Sequence, residues 1–135
     1  MSEIFSADWM SALKEGWNSN PAIKDKLAEI GFSSVIAYGY KEEENPRSIF
    51  VVENGECVSA GDYDGEDLDW DIRANPKDWK KWASKGIGMA GLGMAYASGK
   101  MKFKTGDYGA MMKNPKMAGP FIKNFGLMKG IDTTW

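Results

Sequence analysis

Histidine is absent from this chain of 135 residues, and Cys57 is its single cysteine. Without histidine there can be no Ser-His or Cys-His catalytic pair and no histidine-ligated metal site. One cysteine cannot form an internal disulfide bond. These absences remove much of enzymology, and we predict no catalytic residue, no metal site and no cofactor.

Long apolar runs are missing as well. The longest weakly polar stretch, "GIGMAGLGMAYASG" at 86–99, is shorter than the roughly 20 residues of a membrane-spanning helix and is broken by glycines. The first ten residues lack the basic region and apolar core of a secretory signal. With 43% apolar and 27% charged residues, the sequence is typical of a globular protein. We expect one cytoplasmic domain spanning 1–135, and its oligomeric state stays open.

Charge is distributed unevenly along the chain. Residues 1–74 carry 6 basic and 16 acidic side chains, whereas 75–135 carry 11 lysines and 3 aspartates. A lysine-rich half can attract an anionic head group, a membrane surface or an acidic partner, but its lysines can also simply solvate the surface. We place a possible head-group contact at Lys80, Lys81 and Lys85, and we expect no nucleic-acid partner.

Three helix starts can be placed from local signals. Ser6 is a suitable N-cap for a helix with one apolar stripe, and Asn20 before Pro21 opens a second helix that Gly31 ends. The stretch "NPKDWKKWASKG" at 75–86 repeats the Asn-Pro start and places its tryptophans and lysines largely on opposite sides. A weak, glycine-rich helix over 87–97 follows.

The middle of the chain predicts a sheet. Segments 32–40, 47–53 and 56–61 are rich in β-branched and aromatic residues, and Asn-Gly at 54–55 predicts a tight hairpin turn. In "LDWDIRA" at 68–74 apolar residues alternate with Asp69, Asp71 and Arg73, which predicts a strand with one wet face.

The end of the chain predicts one more strand and two helices. Met101 and Phe103 alternate with exposed lysines, Asp107 is placed to cap a short helix, and Pro115 favours a break before the last helix. Pro120 fits only near the first turn of that helix, so its start stays open.

Three sequence features that suggest a functional site do not fit their context. "GIGMAG" at 86–91 matches the dinucleotide-binding pattern G-x-G-x-x-G, but that fingerprint must follow a strand and open a helix, and here it follows a helix. The acidic run 62–71 lacks the ligand spacing of a calcium-binding loop, and Glu42, Glu43 and Glu44 fit a hairpin tip better than a catalytic pair.

Methionine is abundant late in the chain: seven of the nine methionines lie within 86–135. Methionine adapts to irregular space, so a late helical layer rich in it suits a cavity with variable apolar contents, although plain core packing is the alternative. The stripe in the last helix comprises Met117, Phe121, Phe125 and Met128.

The stretch "AYASGKMKFKTGDYGAMMK" at 95–113 resembles the sterol carrier protein type 2 family. The shared pattern runs from an aromatic residue through Gly-Lys, alternating apolar residues and lysines, and Gly-Asp-x-Gly to an apolar helix that ends in lysine. Segment 68–86 also resembles that family's strand and Asp-x-x-aromatic helix. The chain departs from the family in its glycine-rich segment 86–95 and in lacking the C-terminal peroxisomal tripeptide, which favours a prokaryotic member.

The resemblance implies an α+β fold in which helices cover one face of a five-stranded, largely antiparallel sheet and enclose a hydrophobic tunnel. It also implies binding and transfer of a fatty acid, acyl-CoA, sterol or similar lipid without catalysis. The alternative is an accessory subunit or interaction domain whose cavity is vestigial. Together with the methionine and aromatic stripes, the resemblance gives these candidate tunnel residues: Trp79, Trp82, Met89, Met94, Met101, Phe103, Met111, Met112, Met117, Phe121, Phe125 and Met128.

Overall fold

The computed structural model describes residues 2–135 and confirms the predicted α+β architecture. The elements are β1 (Ser2–Glu3), α1 (Ala7–Asn18), α2 (Pro21–Glu29), β2 (Ser34–Tyr40), β3 (Ser48–Glu53), β4 (Glu56–Asp62), β5 (Trp70–Ala74), α3 (Pro76–Lys85), α4 (Met89–Ala97), β6 (Lys102–Thr105), α5 (Tyr108–Met112), α6 (Pro115–Lys129) and β7 (Thr133–Thr134). The central sheet has the strand order β4-β3-β2-β5-β6, in which β2 and β5 are parallel and the other neighbours antiparallel.

Local capping signals set the starts of the helices. The Ser6 hydroxyl accepts a hydrogen bond from the backbone N–H of Trp9, and Asn20 and Asp107 accept from Ala22 and Ala110 in the same way. Each bond satisfies a backbone donor that the first helical turn leaves free. The predicted caps at these three positions are therefore confirmed.

The β3–β4 hairpin turns at the predicted Asn-Gly pair. Asn54 and Gly55 have φ of 48° and 85°, which are the left-handed values that a two-residue turn of this kind requires. The turn packs against α2 so closely that a Cβ on Gly55 would overlap the backbone at Ala28. Glycine is therefore needed here for both conformation and space.

An aromatic core joins the sheet to the helices that cover it. Phe5 stacks on Tyr38 of β2 with ring centroids 5.7 Å apart and meets Trp79 of α3 edge-on at 5.0 Å. Trp79 in turn stacks on Phe125 of α6 at 6.4 Å. Rings in these geometries add about 0.5–1.5 kcal/mol per pair beyond their burial. The cluster anchors the C-terminal half of α6 against α3 and the sheet.

The outer face of β5 is not exposed to solvent, contrary to the prediction for Asp71 and Arg73. Both side chains are buried, because the loop 41–47 between β2 and β3 folds over them. Arg73 pairs with Asp71 and donates hydrogen bonds to the backbone carbonyls of Glu43 and Glu44. The alternation of residues along β5 correctly predicted that Asp71 and Arg73 share one face of the strand. It could not show that a loop distant in sequence covers this face.

Helix α6 begins earlier than Pro120 suggested. It starts at Pro115 with Asn114 as its cap, so Pro120 is its sixth residue and lies beyond the first turn. Proline supplies no N–H for the carbonyl of Lys116, which weakens the helix at this point. Gly119 precedes Pro120 and has no Cβ to clash with the proline ring, which lowers the free-energy cost of a proline at this position.

Among residues 2–135, no helix is both long enough and apolar enough to cross a lipid bilayer.

Candidate functional site

An apolar cleft lies between the helix-covered face of the sheet and the C-terminal helices. Strands β2 and β5 form its floor, α1, α2 and the segment after α2 form one wall, and α5 and α6 form its roof. The floor consists of Ile36, Tyr38, Trp70 and Ile72, the wall of Trp17, Leu27 and Phe32, and the roof of Met111, Met117, Phe121 and Asn124.

The cleft is nearly closed in this structure. Its volume is about 30 Å³, which is room for about two water molecules. Sites for small organic ligands usually measure about 300–1,000 Å³. A ligand of that size can therefore enter only if part of the wall or roof moves away.

The roof is the part of the cleft best suited to move. Helix α5 has five residues and is joined to α6 by Lys113 and Asn114. Met111 is buried, while Met117 and Phe121 are half-buried against the core. Short helices with few buried contacts open at low cost, and methionine side chains repack around new contents.

Two polar side chains, Tyr38 and Asn124, meet inside the apolar lining. The Asn124 side-chain N–H donates to the Tyr38 hydroxyl over 3.1 Å, and both residues are only 1% exposed. Burial raises the pKa of Tyr38 well above its ordinary value, so the hydroxyl stays protonated at neutral pH. The Asn124 carbonyl oxygen has no hydrogen-bond partner.

Trp70 is held in the floor by the turn after β6. Gly106 has φ of 108°, a value that side-chain-bearing residues rarely adopt, and a Cβ there would overlap the Trp70 ring. The Trp70 ring also meets the Phe103 ring in an edge-to-face arrangement, with ring centroids 6.0 Å apart. Because Gly106 has no side chain, it leaves room for the Trp70 ring in the floor of the cleft.

The structure distributes the twelve predicted tunnel residues over four environments. Met111, Met117 and Phe121 line the cleft. Phe103 and Met112 are half-buried beside the core, and Met89 and Met94 are 54% and 74% exposed on α4. The other five are buried in the core away from the cleft lining: Trp79, Trp82, Met101, Phe125 and Met128.

None of the floor and wall residues was among the sequence candidates. Trp17 and Leu27 belong to the apolar stripes of α1 and α2. The sequence predicts that these stripes pack against the sheet, but it does not show which part of the helix–sheet interface contains a cavity. Asn124 did carry a signal. It lies three residues after Phe121 and so shares the apolar face of α6, where a polar side chain is unexpected.

The cleft lining offers hydrogen bonding and apolar contact but contains no carboxylate, thiol or lysine, and its one titratable side chain is Tyr38, which stays protonated. Cys57 lies on β4, where burial raises the pKa of its thiol to about 12 and keeps it unreactive. In the described part of the chain, no three His, Cys, Asp or Glu residues come together as a metal site.

Helix α4 presents an exposed apolar surface next to the roof. Met89, Met94 and Tyr96 are each more than 40% exposed. Tyr96 also stacks on Tyr108 of α5 with ring centroids 3.8 Å apart. This ring pair is a direct contact between the glycine-rich helix and the roof of the cleft.

Neither the protein-family models nor the curated protein sequences contain a match to this chain. Solved structures do resemble it. A crystal structure of sterol carrier protein 2 superposes with a TM-score of 0.76 at 17% identity, covering 96% of this chain and all of that one. A conserved hypothetical protein of Thermus thermophilus, described as possibly a sterol carrier protein, gives a TM-score of 0.71 at 18% identity, with 99% and 93% covered.

A third solved structure, the ubiquinone synthesis protein UbiJ-SCP2, gives a TM-score of 0.58 at 16% identity and covers 92% of this chain and 90% of its own. The three matches span almost the whole chain, well beyond the residues 68–113 on which the sequence resemblance was based. They also agree on one architecture. This chain therefore has the fold of sterol carrier protein 2.

Proposed function

We propose that this protein binds a hydrophobic ligand, such as a fatty acid, an acyl-CoA or a sterol, and carries it without catalysing a reaction. The observation that carries the proposal is the apolar cleft beneath a methionine-containing roof. Its lining contains no carboxylate, thiol or lysine and has the protonated Tyr38 as its one titratable side chain, and the fold of the chain matches structures named as sterol carrier proteins. The ligand would lie between β2, β5 and α6 once the roof is displaced.

Burial of an acyl chain supplies enough free energy for this role. Each buried methylene contributes about 0.8 kcal/mol, so about ten methylenes give about 8 kcal/mol before costs are subtracted. That gross value corresponds to micromolar affinity, and opening the roof reduces it further. We therefore expect dissociation constants of about 1 μM or weaker.

We also propose that the lysine-rich surface meets an anionic head group or an anionic membrane. Lys80, Lys81 and Lys85 are exposed on α3, next in the chain to the exposed methionines of α4. No acidic residue occurs between Asp78 and Asp107. Exposed apolar side chains next to unopposed positive charge are typical of surfaces that contact anionic lipids.

Binding of a fluorescent fatty acid tests the carrier proposal. We expect saturable binding that unlabelled fatty acid or acyl-CoA reverses. Met117→Trp should fill the cleft and weaken binding at least about tenfold, whereas Met94→Trp, the same change on the exposed face of α4, should alter it less than about twofold. If no fatty acid, acyl-CoA or sterol binds saturably to the folded protein, the proposal is wrong.

A second candidate function is an accessory or interaction domain in a larger enzyme system. The narrow cleft and the exposed apolar surface of α4 favour it, and one similar structure is named as a ubiquinone synthesis protein. Native mass spectrometry of the freshly purified protein distinguishes the two. A carrier should retain bound lipid, whereas an interaction domain should appear ligand-free.

A further inference from the structure

Asn124 carries an unsatisfied acceptor at the cleft. Its side chain is 1% exposed, yet its carbonyl oxygen has no hydrogen-bond partner. Leaving a buried polar atom unpaired is unfavourable, and most such atoms in native proteins are paired. An orphaned oxygen in the lining of an apolar cleft is a free acceptor for a ligand that enters the cleft.

Tyr38 supplies the complementary donor. Its hydroxyl oxygen accepts from Asn124 over 3.1 Å, which leaves the hydroxyl proton free to donate. The two side chains thus present one free donor and one free acceptor, joined by their own hydrogen bond. The other lining residues are apolar or aromatic, and the indole N–H of Trp17 is already bonded to the Gly55 carbonyl over 2.8 Å.

We propose, on the basis of the lipid-carrier function, that Tyr38 and Asn124 together bind the hydroxyl group of a lipid such as a fatty alcohol or a sterol. The ligand oxygen accepts the Tyr38 proton, and the ligand hydroxyl proton is donated to the Asn124 carbonyl oxygen. With the existing amide–phenol bond, this closes a ring of three hydrogen bonds. The hydroxyl end therefore lies inside the cleft and the chain extends toward its opening.

Other head groups fit this pair less well. An ether or ester oxygen accepts from Tyr38 but has no proton for Asn124, so the orphaned oxygen stays unpaired. An ionised carboxylate also lacks that proton, and no cationic side chain lines the cleft to offset its burial. A fatty acid or acyl-CoA would consequently bind with its charged end at the opening.

Competition between two uncharged probes of equal chain length tests this assignment. We would displace the fluorescent fatty acid with dodecan-1-ol and with 1-methoxydodecane, its methyl ether. We expect the alcohol to bind about tenfold more tightly than the ether. If the two bind equally, the pair is not a hydroxyl site, although the carrier function stands. If neither binds and the fluorescent fatty acid fails as well, the carrier function itself is wrong.

Variants of the pair separate a binding role from a purely structural one. Asn124→Leu should reduce the preference for the alcohol to less than about threefold while leaving the ether's affinity nearly unchanged. Tyr38→Phe removes the donor that both probes use, so it should weaken the alcohol and the ether alike. The double variant removes both polar groups, so the ligand-free protein should unfold at an equal or higher temperature. A double variant that is markedly less stable and retains the full preference for the alcohol would show that the bond only supports the fold.

Discussion

The Arg73 side chain holds the loop 41–47 against the outer face of the sheet. Its guanidinium lies 2.6 Å from Asp71 and donates to the Glu43 carbonyl over 2.7 Å, and only 1% of the residue is exposed. A buried ion pair adds little net stability by itself, but removing one member leaves an uncompensated charge in the interior. The stability of the fold therefore depends strongly on Arg73.

Arg73→Ala should lower the free energy of unfolding by about 3–5 kcal/mol, because it leaves Asp71 and two loop carbonyls unpaired. The control is Arg47→Ala. Arg47 pairs with Glu43 at 2.8 Å on the surface and holds the pKa of that carboxyl below its ordinary value, but an exposed pair contributes less than about 1 kcal/mol. Urea denaturation of both variants measures the difference, and similar losses would contradict the importance given to burial.

Two buried acids make the protein sensitive to alkali. Burial raises the pKa of Tyr38 and of Cys57, the latter to about 12, so the unfolded chain releases these protons at lower pH than the folded one. The stability associated with the neutral groups is complete below about pH 8.5 and is lost as the pH rises toward the folded values. Tyr38→Phe and Cys57→Ala should each flatten this decline in denaturation curves from pH 7 to 11. An unchanged slope in both variants would contradict the burial of these groups.

Among the elements, α6 serves two purposes along its length. Its first half, with Met117 and Phe121, roofs the cleft, whereas Phe125 packs against Trp79 and Trp82 in the core. Pro120 interrupts the hydrogen-bond ladder between the two halves. The first half can therefore move while the second stays anchored.

Phe121→Trp and Phe125→Trp should separate these two halves of α6. Phe121→Trp narrows the cleft, so it should weaken long-chain fatty acids more than short ones with little change in stability. Phe125→Trp overfills the core and should cost about 1–3 kcal/mol of stability. Displacement titrations with C8 to C16 fatty acids, together with thermal unfolding, measure both effects. Equal loss for all chain lengths in Phe121→Trp would show that this residue is ordinary core.

Local signals in the sequence were sufficient for the ends of the elements but not for how the elements pack. The caps at Ser6, Asn20 and Asp107 and the turn at Asn54–Gly55 depend on neighbouring residues, and all were predictable. The coverage of Arg73 depends on a loop about 30 residues away. The parallel pairing of β2 with β5 and the short β1–β7 pair also join distant segments.

The cleft was only partly predictable for the same reason. Met111, Met117 and Phe121 carried a pattern within one segment, whereas Trp17, Tyr38 and Trp70 converge from three separate elements. An apolar stripe indicates which face of an element is buried, but not whether the space beside it is filled. Thus Phe125 and Met117 share one stripe and lie in different surroundings.

For the molecule as a whole, charge separates into an acidic first part and a basic second part. The net charge is −10 over residues 1–74 and +8 over 75–135. Six lysines lie between Asp78 and Asp107 without an acidic neighbour in the chain, among them Lys80, Lys81 and Lys85 on α3. Such a field attracts anions over about 10 Å at moderate salt.

Added salt should weaken acyl-CoA binding more than binding of a neutral sterol, because the phosphates interact with exposed lysines while apolar burial is insensitive to screening. Lys80→Glu combined with Lys81→Glu should produce the same selective loss. Lys24→Glu with Lys26→Glu on α2 is the matched charge reversal outside the basic half and should have a smaller effect. Displacement titrations at low and high salt measure this. Acyl-CoA affinity that is indifferent to both salt and the α3 substitutions would remove these lysines from head-group binding.

The central claim is that an acyl chain lies inside the cleft beneath α5 and α6, and methionine methyl NMR tests it most directly. With ¹³C-labelled methionine methyl groups and an unlabelled fatty acid, we predict chain-to-methyl NOEs at Met111 and Met117. Met89 and Met94, exposed on α4, serve as internal controls and should show none. NOEs confined to Met89 and Met94, with Met111 and Met117 unperturbed, would place the lipid on the surface and contradict this account.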